Sequence, residues 1–141
     1  MSPQLVLDEH LAHEVVTESL KSWITVEQIG FELKRKGLSD EEVIRLLRRL
    51  KRRTLVTLDK GFYAPKLCDR NYCLVYFDVT MARQSGIPLL LRRLFRLPGF
   101  RTIRERMGKV VRVHSDVGVS FYTLGDTREH HLPWPPGEGK A

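Results

Sequence analysis

Acidic side chains that could bind a divalent cation occur at three separate places in the sequence. Asp8 and Glu9 follow a short apolar run, Asp40 lies in "SDEE", and Asp59 follows the apolar run "TLVTL". Carboxylates held close together raise each other's pKa, and a divalent cation removes that repulsion. Mg²⁺ and Mn²⁺ prefer such oxygen ligands, and a metal placed this way polarises a phosphodiester and activates water. We therefore treat these residues as candidate catalytic residues and metal ligands.

Each aspartate also has an interpretation that involves no metal. Asp40 lies in the first turn of a predicted helix, where an acid stabilises the helix dipole by about 0.3–1 kcal/mol. Asp59 is an ordinary turn residue before Lys60 and Gly61, and Asp8 is a possible cap of the following helix. Taken one at a time, these structural roles are favoured. A shared location of the three acids beside a basic region favours the metal.

The elements that must position these acids are read from hydrophobic periodicity and turn residues. Near-continuous apolar runs are typical of strands covered on both faces of a parallel sheet. A polar segment at 31–38 is a predicted loop, and no internal repeat is present. The predicted strands are 4–8, 23–30, 54–59 and 72–79, the predicted helices are 9–22, 39–53 and 85–99, and a terminal β-hairpin is predicted at 109–114 and 117–124.

Alternating strands and helices predict an α/β fold with an open, mainly parallel sheet flanked by helices and a C-terminal β-hairpin. At 141 residues the chain has the length of one domain. We assign that domain to 1–125 and interpret 126–141, which is rich in Pro and Gly, as a flexible tail. In open α/β sheets ligands bind beyond the carboxyl ends of the strands, where Asp8 and Asp59 are predicted to lie.

Positive charge is concentrated in the middle of the chain. The net charge is −5 over 1–42, +14 over 43–114 and −2 over 115–141, for a total of +7. Such asymmetry suggests an anionic partner such as nucleic acid, although solvated arginines on helix surfaces give the same pattern. Basic side chains neutralise phosphates with little sequence preference. The candidate nucleic-acid-binding residues are Arg48, Arg49 and Arg52 on the helix that follows Ser39, and Arg92 and Arg93 on the later helix.

Aromatic residues near these basic segments are candidates for base stacking. Phe62 and Tyr63 follow Asp59 directly, whereas Tyr76 lies within an apolar strand and is expected in the core. Asp78, at the end of that strand, is a further acid that could approach the metal site.

Several other classes of protein are excluded by the sequence. No apolar stretch is long enough for a transmembrane helix, and the N-terminus lacks the basic segment of a signal peptide, so we expect a cytoplasmic protein with no membrane partner. Cys68 and Cys73 are the only cysteines and lack further ligands for zinc. There is no phosphate-binding P-loop and no nucleophile elbow of a serine hydrolase.

Three segments of the chain together resemble the PIN-like, VapC-type toxin ribonuclease family. They are "LVLDEHLAHEVV", "KGLSDEEVIRLLRR" and "TLVTLDKGF", in the family's order, and the resemblance covers about residues 4–80. The resemblance implies a compact PIN-like nuclease domain that cuts RNA with Mg²⁺ or Mn²⁺. It implies Asp8, Asp40 and Asp59 as metal ligands with Glu9 in support, and an antitoxin protein as a partner. A homodimer is a further partner consistent with a domain of this size.

The sequence departs from the family pattern at two positions. Gly61 stands where the family usually has a second Asp after Asp59, and His10 stands where it often has Asn. A missing acid weakens a metal site or abolishes cutting. The leading hypothesis is a metal-dependent endoribonuclease acting on single-stranded RNA, and the alternative is a catalytically weakened PIN-like module that binds RNA or a protein.

Overall fold

The strands explain how distant acidic residues come to one place. The structure, a computed structural model, describes residues 4–33 and 36–136. In that part of the chain seven strands form one sheet. They are β1 (Leu5–Leu7), β2 (Val26–Gln28), β3 (Arg53–Thr57), β4 (Tyr72–Asp78), β5 (Lys109–His114), β6 (Gly118–Thr123) and β7 (Asp126–Pro133).

The sheet is mainly parallel, as predicted. The strand order is β2-β1-β3-β4-β5-β6-β7, and the first five of these strands run parallel to one another. β6 pairs antiparallel with β5, which confirms the predicted terminal hairpin, and β7 then pairs antiparallel with β6. The chain leaves β1 toward β2 on one side and returns to β3 on the other, so the strand order reverses between β1 and β3. Ligands of open α/β sheets bind at such a reversal.

Helices cover both faces of the sheet and divide the core into two clusters. The α-helices are α1 (Glu18–Leu20), α2 (Asp40–Leu50), α3 (Ile87–Leu94) and α4 (Ile103–Arg106). Buried side chains of α2 pack with those of Leu55 and Leu74 on one face. Those of α3 pack with Val56 and Val75 on the other face. Burial on both faces explains why β3 and β4 are almost wholly apolar in sequence.

The predicted helix after Ser39 is confirmed. The Ser39 hydroxyl accepts from the Glu42 amide at 3.2 Å, and the Glu42 carboxylate accepts from the Ser39 amide at 3.0 Å. This reciprocal pair is a capping box, which fixes the start of α2 at Asp40. The helix ends at Leu50 because Lys51 and Arg52 take positive φ angles of 61° and 59°.

Two predicted helices are shorter than expected. The segment 9–22 contains only a π-helical turn, His13–Thr17, and α1, because the chain turns after Asp8 with the Leu11 amide donating to its carbonyl. The segment 85–99 contains α3, and the residues before it form a 3₁₀ turn, Met81–Gly86. In the predicted loop 31–38, residues 34 and 35 lie outside the described residues.

The interpretation of 126–141 as a flexible tail is wrong for its first part. Residues 126–133 form β7, whose backbone pairs with β6. Trp134 is buried, and its indole Nε1 donates to the carbonyls of His114 and Ser115. Strand pairing and this anchor offset the poor strand propensity of the prolines that follow. Residues 137–141 lie outside the described part of the chain.

No helix in the described residues is both long and apolar enough to cross a membrane.

Candidate functional site

The Thr57 hydroxyl links two of the predicted metal ligands. It donates to Asp8 Oδ2 at 2.8 Å and accepts from the Asp59 backbone amide at 3.0 Å. Thr57 is completely buried at the end of β3, so its rotamer is fixed by the core. The adjacent strands β1 and β3 thereby bring Asp8 and Asp59 to the carboxyl edge of the sheet, as the sequence predicted.

Asp59 follows the strand at a distance of two residues and caps a short 3₁₀ turn, Lys60–Phe62. Its Oδ1 accepts from the Gly61 amide at 2.8 Å. Strand β3 itself ends at Thr57, so the predicted strand end at Asp59 is two residues too late. The turn role and a ligand role are compatible, because the hydrogen bond to Gly61 uses only one carboxylate oxygen.

Asp40 completes the group from the N-terminus of α2. Its pKa is raised above the usual aspartate range by burial and by the negative charges of Asp59 and Asp8, and a hydrogen bond with Asp59 acts in the same direction. Asp40 therefore lies close enough to Asp59 and Asp8 for their charges to act on it. We call Asp8, Asp40 and Asp59 the acid cluster.

Gly61 borders the space between two members of the acid cluster. A Cβ atom at this glycine would lie 3.1 Å from Asp59 Oδ1 and 3.6 Å from Asp40 Oδ2. The first distance is tighter than ordinary van der Waals contact, so the missing side chain keeps the gap between these carboxylates open. The residue that departs from the family pattern thus lies directly at the acid cluster.

Glu9 and Asp78 have partners elsewhere. Glu9 Oε1 accepts from the Gly37 amide at 2.8 Å, so this carboxylate ties the end of β1 to the loop before α2. Asp78 Oδ2 accepts from Arg112 Nη2 at 2.6 Å, and this ion pair lowers the pKa of Asp78. Asp78 therefore forms an ion pair with Arg112 instead of contacting the acid cluster.

The chemistry of the acid cluster fits a hard divalent cation. Three carboxylates, of which Asp59 and Asp8 raise the pKa of Asp40 in addition to burial, offer the oxygen donors and negative charge that Mg²⁺ and Mn²⁺ favour. Within residues 4–33 and 36–136, no group of three or more His, Cys, Asp or Glu side chains is arranged with the geometry of a metal site. The three carboxylates of the acid cluster are thus present at one edge of the sheet, but their oxygens are not arranged around one point as metal ligands.

A cavity of about 260 Å³ opens beside the acid cluster. Asp8 and Asp59 line it together with His10, Leu11 and Leu58. The two carboxylates therefore face a space that a ligand can enter.

The predicted basic residues divide into different environments. Arg48 and Arg49 are exposed on α2, and Arg48 Nε donates to Asp69 Oδ2 at 2.9 Å. Arg52 is also exposed, but it lies after the end of α2 rather than on the helix as predicted. Arg92 is exposed on α3, on the opposite face, where its guanidinium lies over the Trp23 ring. The structure does not bring these groups onto one surface.

The prediction that Arg93 contacts nucleic acid is wrong. Arg93 is only 7% exposed, and its guanidinium lies over the Trp134 ring with 4.2 Å to the centroid. Its Nε and Nη2 atoms have no hydrogen-bond partner in the described part of the chain. The helical spacing that placed Arg93 beside Arg92 could not show that this side of α3 is covered by the C-terminal segment.

The aromatic candidates are mostly internal. Phe62 is buried in the cluster under α2, and Tyr76 is 8% exposed, as expected for a strand residue. Tyr63 is half-buried, donates from its hydroxyl to Glu129 Oε2 and lies tilted against Tyr122. Burial and the Glu129 carboxylate raise the pKa of Tyr63.

Sequence reasoning missed two residues that position the acid cluster. Thr57 is one, and its only signal in the sequence was a polar residue within the apolar run "TLVTL". Gln28 is the other: it is fully buried, and its Nε2 donates to the carbonyls of Asp8 and Leu11. Gln28 Oε1 in turn accepts from Thr17 Oγ1 at 2.5 Å, which holds the turn after β1.

Comparison with known proteins adds no assignment to this geometry. A scan against protein-family models, a search of curated proteins and a search of solved structures each found no match to the chain.

Proposed function

We propose that this protein is a metal-dependent endoribonuclease with a PIN-like fold that hydrolyses phosphodiester bonds of single-stranded RNA. The observation that supports it is the convergence of Asp8, Asp40 and Asp59 from three distant segments, with the pKa of Asp40 raised by burial and then by the charges of Asp59 and Asp8. Such repulsion destabilises the metal-free protein and favours a bound cation. The sequence resemblance assigns the same three residues.

The acid cluster would hold Mg²⁺ or Mn²⁺. A divalent cation there supplies positive charge that stabilises phosphoryl oxygens and lowers the pKa of a bound water. Thr57 and the Gly61 amide orient Asp8 and Asp59 through one oxygen each, and α2 holds Asp40 at its first turn. These fixed positions reduce the reorganisation that binding requires.

Exposed arginines on α2 would position the RNA backbone. Asp40 opens this helix and Arg48 lies eight residues later, so a rise of 1.5 Å per residue places them about 12 Å apart along the axis. An RNA strand that passes the acid cluster and follows α2 would therefore approach Arg48, whose guanidinium also pairs with Asp69. Contacts of this kind give affinity that falls with salt and carries little sequence information.

The test is cleavage of a labelled single-stranded RNA with Mn²⁺, with Mg²⁺ and with EDTA. We compare the wild-type protein, Asp40→Asn and the control Glu41→Gln, which removes an exposed acid from the same helical turn. The proposal expects cleavage that requires a metal, is lost in Asp40→Asn and persists in Glu41→Gln. Cleavage in EDTA, or equal cleavage by Asp40→Asn, would refute it.

A module that binds RNA or a protein without cutting is the second candidate. Gly61 at the family's acidic position, together with the lack of a preformed metal geometry in the described residues, favours it. Metal-independent RNA binding without cleavage by the wild-type protein would support this candidate. Toxin activity and an antitoxin partner stay predictions of the resemblance, and a homodimer stays a prediction from the size of the domain.

A further inference from the structure

A second cavity lies over β5, β6 and β7, farther along the sheet from the acid cluster. Its volume is about 390 Å³, within the range of about 300–1,000 Å³ that is typical of ligand pockets. We call it the β5–β7 pocket. The polar side chains that line it are Arg112, His114, Ser120, Glu129 and His131.

Ser120 joins the two imidazoles of this pocket. Its side chain is almost fully buried, and Oγ lies 3.0 Å from His131 Nδ1 and 3.4 Å from His114 Nε2. The remaining nitrogens lie 3.8 Å from carboxylate oxygens of Asp78 and Glu129, which is longer than a hydrogen bond. Each imidazole thus keeps one nitrogen that a ligand can engage.

Arg112 adds a fixed positive charge at the edge of the pocket. Its Nε and Nη2 donate to Asp78 Oδ2 at 3.3 and 2.6 Å, so this carboxylate does not use the Nη1 edge of the guanidinium. The side chain is 29% exposed. An arginine held in this way presents a rigid donor edge, which suits a phosphate.

The pocket also has an apolar part that a ligand can reach, formed by Val117, which is 71% exposed, and Pro133. With the Glu129 carboxylate held by the Tyr63 hydroxyl, a ligand that contacts Arg112 and these apolar side chains combines an anionic group with an apolar ring or sugar surface. A nucleotide has this combination, because its phosphate is charged and its base is a flat, weakly polar ring. A simple inorganic anion would leave the apolar part unused.

Two tyrosines connect the pocket to the acid cluster. Tyr63, four residues after Asp59, donates to Glu129 in the pocket wall. Tyr76 is hydrogen-bonded to Asp78, and its pKa is raised by burial, by the charge of Asp78 and more weakly by that of Asp59. The two sites therefore share one side of the sheet and are linked through these tyrosines.

We propose that the β5–β7 pocket binds one nucleotide of the single-stranded RNA whose backbone passes the acid cluster. Arg112 and the imidazoles of His114 and His131 contact the phosphate, and the apolar part contacts the base or ribose. This inference rests on the proposed function for its choice of RNA. It adds a binding site that the three-aspartate assignment does not contain.

The test measures binding of a fluorescein-labelled, ten-nucleotide RNA of mixed sequence in EDTA by fluorescence anisotropy. The variants are His131→Gln and Arg112→Gln. Their matched controls are His130→Gln and Arg128→Gln, which change the neighbouring histidine and another Asp-paired arginine outside the pocket lining. We expect each pocket variant to weaken binding by about fivefold or more, as for a lost charged hydrogen bond, and the controls to stay within about twofold.

His131→Gln keeps the test decisive if Arg112→Gln destabilises the fold, because His131 is 67% exposed. Binding by His131→Gln equal to that of wild type would overturn the proposal. A second arm titrates adenosine and uridine 5′-monophosphates. Displacement of the RNA by millimolar mononucleotide supports nucleotide binding in the pocket. Tighter binding of a mononucleotide than of the RNA would overturn the proposal that the bound nucleotide belongs to an RNA strand.

Failure of this inference and failure of the proposed function have different signatures. RNA binding in EDTA does not depend on a metal, so Asp40→Asn is expected to retain it. Metal-dependent cleavage with an unchanged KM in His131→Gln would reject the pocket and leave the nuclease. Weakened binding by His131→Gln in a protein that never cuts RNA would reject the nuclease and leave the pocket.

Discussion

Replacing Thr57 with valine tests the link between β3 and the acid cluster. Valine has nearly the same shape, so the change removes one hydroxyl and leaves the packing of a fully buried residue intact. The lost bond to Asp8 Oδ2 involves a charged group, worth about 1.5–3 kcal/mol, and the Asp59 amide loses its acceptor. Because Asp8 is half-buried, water replaces part of the lost bond. We expect a loss of about 2 kcal/mol in the free energy of unfolding.

Urea denaturation of Thr57→Val, Thr54→Val and wild type provides the assay. Thr54 is buried in the same strand, but among the described residues its side chain forms a hydrogen bond only with the Cys73 thiol, which is a weak partner. Removing the Thr54 hydroxyl should therefore lower the free energy of unfolding by less than about 1 kcal/mol. Metal-dependent RNA cleavage by Thr57→Val should also fall, since Asp8 loses its fixed orientation. A Thr57→Val protein as stable as Thr54→Val would refute the reasoning.

Three further predictions concern charge. Gly61→Asp should bind Mn²⁺ more tightly than Gly61→Asn in calorimetric titrations, because it adds a carboxylate beside the acid cluster at similar size; equal affinities would contradict this. In EDTA, the folded protein binds the Asp40 proton more tightly than the unfolded chain does, so stability should fall as pH rises from the usual aspartate pKa through the raised one. Urea denaturation across this pH range should show a smaller fall in the free energy of unfolding for Asp40→Asn than for Glu41→Gln. Equal falls in the two variants would contradict the raised pKa of Asp40. Arg49→Gln should weaken RNA binding and lower its salt dependence by about one counterion, whereas Arg93→Met should leave both unchanged because Arg93 is buried. Anisotropy titrations at several salt concentrations measure the affinity and its salt dependence. A lowered salt dependence in Arg93→Met would contradict the conclusion that buried Arg93 does not contact RNA.

The fold was predictable where one local signal was strong. The Ser39 capping box and the apolar face of α2 fixed that helix in sequence, and the apolar runs fixed β3 and β4. Helix 9–22 was mispredicted because apolar spacing cannot reveal that buried Gln28 holds the preceding turn through the Asp8 and Leu11 carbonyls. Strand β7 was missed because nearby prolines and glycines suggested a tail, while its pairing with β6 is a tertiary effect.

The candidate site shows the same division. Asp8 and Asp59 were placed correctly because the ends of adjacent parallel strands must lie at one edge. The hydroxyl of Thr57 and the pocket lined by His114 and His131 depend on contacts across strands, which spacing along the chain does not contain. Arg93 was misplaced because periodicity identifies a side of a helix without showing what covers that side.

The central claim is that Asp8, Asp40 and Asp59 form one divalent-cation site. Titration of the metal-free protein with Mn²⁺, followed by electron paramagnetic resonance of the free ion, tests it most directly. We expect one Mn²⁺ site in wild type and in Glu41→Gln, and an affinity lower by about tenfold or more in Asp40→Asn. Unchanged Mn²⁺ binding by Asp40→Asn, or no binding by wild type at millimolar Mn²⁺, would contradict it.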